Sequence, residues 1–341
     1  MNLVKLGRSG LRVSPICLGT MTFGNQDWGC DEAQSAQILN SYLEQGHNFI
    51  DTADIYAAGE SEAILGRQLG ARRKDIVIAT KVFWAVERGP NQCGSSRKHI
   101  IEACEASLRR LQTDYIDLYY VHIWDPQTPL EETLAALHTL VESGKVRYLG
   151  ASDYTGWQIS EAMNLSKQQG WHRFIVHQVE YSCLTRDIEL DIVPASTYNG
   201  LGIVGWSPLA GGMLTGKYGD GRNTNPQGRF GAGDAGKWWQ VRWAQDVNYA
   251  ATAEFLKIAG ELHVSPVTLA IAYTLLPDWM SAVIIGARKV EQLADNLTGG
   301  DFVIPEEYRK RLDVLRPPLR IFPHEMQQNA LNLRTKQDYQ G

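Results

Sequence analysis

The chain has 341 residues, 33 Lys and Arg against 38 Asp and Glu, and a formal net charge of −5. That mild acidity excludes the basic patch a nucleic-acid partner demands. At 44% hydrophobic and 21% charged residues, wholesale disorder is excluded as well. No run approaches the roughly 20 apolar residues that cross a bilayer, and Met1–Gly10 lacks the apolar centre of a signal peptide. Five scattered cysteines (Cys17, Cys30, Cys93, Cys104, Cys183) form no Cys-x-x-Cys pair, as reduced thiols do. These features predict a cytoplasmic protein with neither a nucleic-acid nor a membrane partner.

In chain order, the pattern opens on a hairpin, Leu3–Leu6 and Leu11–Val13 around Gly7–Gly10. Eight strand–helix units follow. The first four pair Ile16–Leu18 with Glu32–Gln45, Asn48–Ile50 with Glu60–Leu69, Ile76–Thr80 with Lys98–Leu111, and Ile116–Val121 with Leu130–Ser143. The last four pair Val146–Leu149 with Gly156–Gln169, Phe174–Val176 with Arg186–Tyr198, Ile203–Trp206 with Val264–Leu276, and Ala282–Ile285 with Val290–Leu297. Several strands are near-continuously apolar, as parallel strands covered on both faces are. Eight such units in a row predict an α/β fold: one (β/α)8 TIM barrel over residues 1–316, capped by the hairpin. Residues 317–341 are predicted to be a C-terminal tail. The Gly- and Asn-rich stretch Gly211–Ala235 follows the seventh strand, on the face where barrel enzymes build their sites, and is placed to cover a ligand.

Gly231-Ala232-Gly233-Asp234-Ala235-Gly236 matches a dinucleotide fingerprint letter by letter, but loop residues precede it where a strand is required. No tyrosine has a lysine four residues later, His172 and His177 lack metal-site spacing, and Gly205-Trp206-Ser207-Pro208-Leu209 lacks the closing glycine of a nucleophile elbow. No metal is expected in the active site. Polar groups instead gather at strand ends: Asp51 and Tyr56 after the second, Lys81 after the third, His122 after the fourth. Each alone has a bland structural explanation; together, on consecutive strand ends, they read as catalytic.

The set Asp51-Thr52-Ala53-Asp54-Ile55-Tyr56, Ala79-Thr80-Lys81, Val121-His122, His177-Gln178-Val179-Glu180-Tyr181-Ser182, Trp206-Ser207-Pro208-Leu209 and Gly286-Ala287-Arg288 resembles the aldo-keto reductase superfamily, over roughly residues 3–315. The resemblance implies NADP(H)-dependent reduction of a small carbonyl substrate to an alcohol, reversibly, with Asp51, Tyr56, Lys81 and His122 as the catalytic tetrad. Tyr56 would donate the proton to the carbonyl oxygen, Lys81 would favour its phenolate, Asp51 would hold Lys81, and His122 would orient the carbonyl. For the cofactor it implies Ser152 and Gln178 on the carboxamide, Trp206 stacked on the nicotinamide, and Ser207, Leu209, Gly211 and Lys217 along the pyrophosphate. Gly286, Arg288, Gln292 and Asn296 would hold the 2′-phosphate or adenine, and Gly19, Thr20 and Met21 the ribose. Ser152-Asp153 departs from the family's usual Ser-Asn, so one carboxamide contact is changed in kind: an ionised carboxylate only accepts hydrogen bonds. Phe23, Trp28, Phe83, Trp84 and Trp124, with Trp238, Trp239 and Trp243 beyond the seventh strand, suggest an apolar or flat substrate pocket. The alternative within the same resemblance is an NADPH-binding, redox-sensing regulatory subunit with little turnover.

Overall fold

The computed structural model describes residues 2–219, 228–231, 233–319, 321–327 and 329–331, without the side chains of 234 and 235. Two short antiparallel strands, β1 (Val4–Lys5) and β2 (Arg12–Val13), form the predicted hairpin. Eight parallel strands then close a barrel: β3 (Ile16–Gly19), β4 (Phe49–Asp51), β5 (Val77–Val82), β6 (Ile116–Val121), β7 (Val146–Ser152), β8 (Phe174–Glu180), β9 (Gly202–Trp206) and β10 (Met280–Gly286), the last pairing with β3.

Leu6 and Val13 of the hairpin are fully buried against Cys17, Phe49 and Ala282, so the hairpin plugs the end where the strands begin. Burial of side chains of this size stabilises by about 1.5–3 kcal/mol each. The opposite end stays open and polar. Five of the helices that cover the strands lie within one residue of the predicted positions: α1 (Glu32–Glu44), α2 (Glu60–Leu69), α3 (Arg97–Leu111), α4 (Leu130–Glu142) and α5 (Gly156–Gln169). The sixth, α6 (Ile192–Asn199), starts six residues later than expected, after a 3-10 turn at Asp187–Glu189. Local chemistry sets their starts. Asp31 and Ser96 accept from the backbone N–H of Gln34 and His99 (2.8 and 3.2 Å), and Thr155 with Gln158 forms a capping box.

Two boundaries differ instructively from expectation. β7 and β8 run three and four residues past the predicted ends, to Ser152 and Glu180. The polar residues there interrupt the apolar run yet keep their place in the ladder, with Ser152 beside Gln178 and Glu180 beside Trp206. After β9 the chain forms three helices that were not predicted, α7 (Gly233–Trp243), α8 (Asp246–Glu261) and, at the end, α11 (Glu306–Asp313), around the two that were, α9 (Pro266–Leu275) and α10 (Val290–Thr298). α7, α8, α9 and α11 build a second hydrophobic cluster around Trp243, Phe255, Ile258, Leu269 and Leu312, while Leu293 and Leu297 of α10 join the main core.

Of the predicted covering segment, residues 220–227 and 232 lie outside the described residues. So does Ala232 of the Gly-x-Gly-x-x-Gly match, whose Gly233 opens α7 after a 3-10 turn, Arg229–Gly231, rather than after a strand. In the tail, 320, 328 and 332–341 likewise lie outside; Leu319 and Phe322 are exposed.

Candidate active site

Sheet register decides which side chains meet at the open end. Asp51 stands beside Gly19 and Ala79, and Lys81 beside Tyr120. The ladder continues past the strands, with His122 N–H donating to Val82 O (2.9 Å) and Asp153 N–H to Gln178 O (3.0 Å). Tyr56 arrives from a loop. Its turn holds Ala57 and Ala58 in the left-handed region (φ 49° and 53°), which costs L-residues about 1–2 kcal/mol each. The turn folds the chain back so that Tyr56 faces the barrel while α2 starts at Glu60.

Lys81 is the hub. Its fully buried Nζ donates to Asp51 Oδ1 at 2.5 Å, to the Thr52 carbonyl at 2.8 Å and to Tyr56 Oη at 3.2 Å. Gln178 Nε2 donates to the other Asp51 oxygen at 2.7 Å. The His122 ring meets the Tyr56 ring edge-on with centroids 6.1 Å apart. The four residues expected from separate strand ends are therefore one connected group.

Burial opposes the Lys81 charge, but Asp51 and Tyr56 outweigh it and raise its pKa. Burial raises Asp51, against the attraction of Lys81. Burial and then the Lys81 charge push His122 well below its ordinary value, so the imidazole is neutral. Its Nδ1 is buried without a partner among the described residues. With the neutral ring's proton assigned to Nε2, the enclosed Nδ1 is left as a bare acceptor and Nε2 is free to donate.

At Tyr56 burial works against the expected pull of Lys81. Its phenol lies above the ordinary value: burial is the largest cause, and Asp51 adds to it against Lys81. Lys81 still pulls the phenol down, and by more than Asp51, 2.5 Å from the ammonium, pushes it up, but burial outweighs that pull. The group is therefore a protonated donor at neutral pH, with the ammonium waiting to stabilise the phenolate that donation creates.

The expected cofactor residues divide into two sets. One lines the open groove. Trp206 is half-buried, with its Nε1 donating to Asp153 Oδ1 (3.1 Å) and the Arg242 guanidinium 5.9 Å from its ring. Ser207, Leu209 and Met21 are half-buried, and Gly286 has no atom within 4 Å of where a Cβ would sit. Arg288 is half-buried, and Lys217 lies over Gly212 while still reaching solvent. Gly211 (φ 65°) must be glycine because a Cβ there would enter the Trp243 ring.

The other set is committed to the frame. Thr20 is buried and bonds to Asp51 O and Ser61 Oγ. A Cβ on Gly19 would meet Ile284 at 2.6 Å. Gln292 accepts from Arg288 N–H (2.9 Å), and buried Asn296 donates to Gly286 O (3.0 Å). These four shape the groove by holding its walls. Ser152 is buried beside Gln178, whose amide nitrogen is committed to Asp51 while its oxygen is an acceptor.

Arg229 was not anticipated. Its guanidinium lies 5.2 Å from the Trp28 ring centroid and 5.1 Å from that of Trp239, a cation–π sandwich across the groove. Burial lowers its pKa, with Arg288 adding to the effect. Burial, then Arg229 and Arg288, pull Lys217 down to about 8. Three cations so gathered fit a phosphate dianion.

Among the aromatic residues, Trp84 is exposed at the mouth, edge-on to His122 (6.4 Å), and Trp28 is held by Arg229. Phe23 corrects expectation: it is fully buried in the core. Trp124 packs on Tyr154 and Trp157 at 5.2 and 5.4 Å, and Trp243 is buried. Asp54 stands in the strand-end motif with no role expected of it. Burial and then Glu62 push it up to about 8, so it stays protonated beneath the Tyr56 turn.

A phenol tied to an ammonium, beside a neutral imidazole at the mouth of a (β/α)8 barrel, is equipment for moving a proton to and from a carbonyl oxygen. Residues 15–316 match the model of the Aldo/keto reductase family, and the chain belongs to that family. It is similar to a probable voltage-gated potassium channel subunit beta of Oryza sativa subsp. japonica, 41% identical over 89% of this chain and 92% of that one. It is 36% identical to the uncharacterized oxidoreductase YrpG of Bacillus subtilis (93% and 96% covered) and 35% identical to norsolorinic acid reductase of Aspergillus flavus (91% and 79%). The chain is thus an oxidoreductase of a family that binds a nicotinamide cofactor.

Proposed function

We propose that the protein is an NADP(H)-dependent carbonyl reductase, acting on small aldehydes or ketones and reversibly on the alcohols. The observation that carries this reading is the continuous chain from Asp51 through Lys81 to Tyr56, at 2.5 and 3.2 Å, with neutral His122 beside the phenol. The nicotinamide, when bound, supplies the hydride. Tyr56 gives its proton to the carbonyl oxygen, Lys81 stabilises the resulting phenolate, and Asp51 keeps Lys81 charged and in place. His122 donates from Nε2 to the same oxygen and orients it. Trp206 offers a ring face for stacking; Ser152 and the Gln178 oxygen suit a carboxamide. The five cysteines, all free thiols, support a reducing cytoplasm as its compartment. A panel of aldehydes and ketones followed at the reduced-nicotinamide absorbance, with NADPH and NADH in parallel, tests the reading; no oxidation with either cofactor would reject it.

Arg288, with Lys217 and Arg229, supports preference for the phosphorylated cofactor. Charge-assisted hydrogen bonds are worth about 1.5–3 kcal/mol. Arg288→Ala is therefore expected to raise the Kd for NADPH about 10- to 100-fold, while NADH binding stays nearly unchanged. Equal losses with both cofactors would remove Arg288 from the 2′-phosphate.

Asp153 predicts a pH signature. Desolvation against the cleft wall raises its carboxyl, the Trp206 hydrogen bond opposing this and Glu180 adding to it, and the solvent that still reaches the exposed Asp153 side chain tempers the rise. Its charge also raises Tyr56. The kcat/KM profile for carbonyl reduction should bend between about pH 4 and 7 in the wild type and lose that bend in Asp153→Asn, which keeps the acceptor for Trp206. The stability sign follows from a folded pKa above the unfolded 3.8. The folded state holds this proton more tightly, so the group's contribution weakens as pH rises from about 4 to 7. Asp153→Asn should accordingly melt higher than wild type at pH 8, with the gap closing toward pH 4.

The relatives named as channel beta subunits favour a second reading, a cofactor-binding regulatory subunit. The two differ in rate: full single-turnover oxidation of bound cofactor with negligible steady-state turnover would favour the subunit.

A further inference from the structure

A second cluster of ligating side chains lies at the opposite end of the barrel from the catalytic group. His138 and Glu142 are four apart on α4 and share one helix face. His172, in the connection between α5 and β8, reaches toward them, its Nε2 2.8 Å from Glu142 Oε1. The His138 and His172 rings lie 5.2 Å apart, and one ligand atom from each of the three residues falls within 4.8 Å of the others. Half-buried His138 has its Nδ1 enclosed without a partner. Glu142 and His172 have side chains 63% and 46% exposed, which leaves an open path for an ion.

We propose that His138, Glu142 and His172 bind one divalent d-block cation, of the zinc(II), nickel(II) or copper(II) class, with water completing its shell. Two imidazoles and a carboxylate are the donor set such ions take. Magnesium and calcium prefer all-oxygen shells and are disfavoured. Metal–ligand bonds of about 2.0–2.1 Å place tetrahedral ligands about 3.4 Å apart. The His172–Glu142 pair must open slightly and the widest separation must close, both within reach of side-chain rotation at a solvent-facing site. The ion would tie the C-terminal end of α4 to the start of β8. It therefore acts on stability: binding to the folded form raises the melting temperature with metal concentration. Turnover is untouched, because none of the three residues belongs to the catalytic or cofactor-binding group.

The test uses untagged, chelator-treated full-length protein, titrated calorimetrically with zinc chloride, with copper(II) electron paramagnetic resonance as the second readout. One equivalent should bind, the copper spectrum should show two nitrogen ligands, and the melting temperature should rise on adding zinc. His172→Ala should weaken binding at least tenfold and leave one nitrogen. His138→Ala should weaken it comparably, and Glu142→Gln, which conserves shape, should weaken it while preserving the fold. His263→Ala, at an exposed histidine elsewhere, should change nothing. Carbonyl-reductase activity serves as the folding control, and circular dichroism replaces it if the wild type proves inactive. Absence of wild-type binding, or binding that survives both histidine substitutions, would overturn the proposal.

Discussion

Replacing Tyr56 by phenylalanine is expected to cut carbonyl reduction by about 10²–10⁴-fold, the range a positioned general acid supplies, while the Kd for NADPH stays within about twofold of wild type on the same stacking and phosphate contacts. The reasoning is local. The hydroxyl touches Lys81 at 3.2 Å, and Lys81 keeps Asp51 and the Thr52 carbonyl when it is gone. The fold therefore loses one hydrogen bond, worth about 0.5–1.5 kcal/mol, and the reaction loses its proton source. Because Tyr56 is held above the ordinary phenol value, reduction by the wild type should not lose its acid anywhere in the neutral range. Alcohol oxidation, which needs the phenolate, should rise with pH instead. Steady-state kinetics with cofactor-binding fluorescence checks both halves; retained turnover in Tyr56→Phe would move the proton to another group.

Lys81→Met is expected to damage both function and stability. Asp51 and Lys81 are each almost wholly buried. Removing one partner leaves a carboxylate uncompensated, a change worth about 3–5 kcal/mol. Turnover should fall by at least about 10²-fold, since the phenolate loses its stabilising cation. The pair can be separated from its members by a cycle: Asp51→Asn with Lys81→Met should be less destabilised than the sum of the single variants, because neither charge is then stranded. Chemical denaturation of the four proteins measures this. Additive losses would mean that the two residues do not act as a pair.

The barrel was legible because its strands are apolar on both faces and alternate with helices, a pattern that excludes sandwiches, and because eight such units follow one another without a break, which favours closure over an open doubly wound sheet. What escaped was polar or irregular. β7 and β8 extend through Ser152, Gln178 and Glu180, where side chains serve the cleft and break the apolar run. α7 docks through its own aromatic and cationic residues: Trp243 and Arg242 bond buried Glu180, and Trp239 stacks on Trp243 with centroids 5.0 Å apart. A helix anchored in that way carries no clean amphipathic period. The four polar residues that meet at the barrel mouth could be found from the strand ends and the loop after β4. Arg229 could not, because an arginine in a Gly-rich stretch has no spacing to mark it, although Trp28 and Trp239 were visible as its platforms. Phe23 misled for the converse reason. A loop aromatic looks like a pocket wall until the short Phe23–Cys30 bridge turns it inward.

The most direct test of the central claim follows the hydrogen itself. NADPH carrying deuterium at the transferable C4 position is mixed with the protein and an aromatic aldehyde, and the alcohol is analysed by mass spectrometry. The account predicts one deuterium on the former carbonyl carbon, formed at the rate of cofactor oxidation and suppressed in Tyr56→Phe. Alcohol without label, or label transfer unaffected by loss of the Tyr56 hydroxyl, would contradict it.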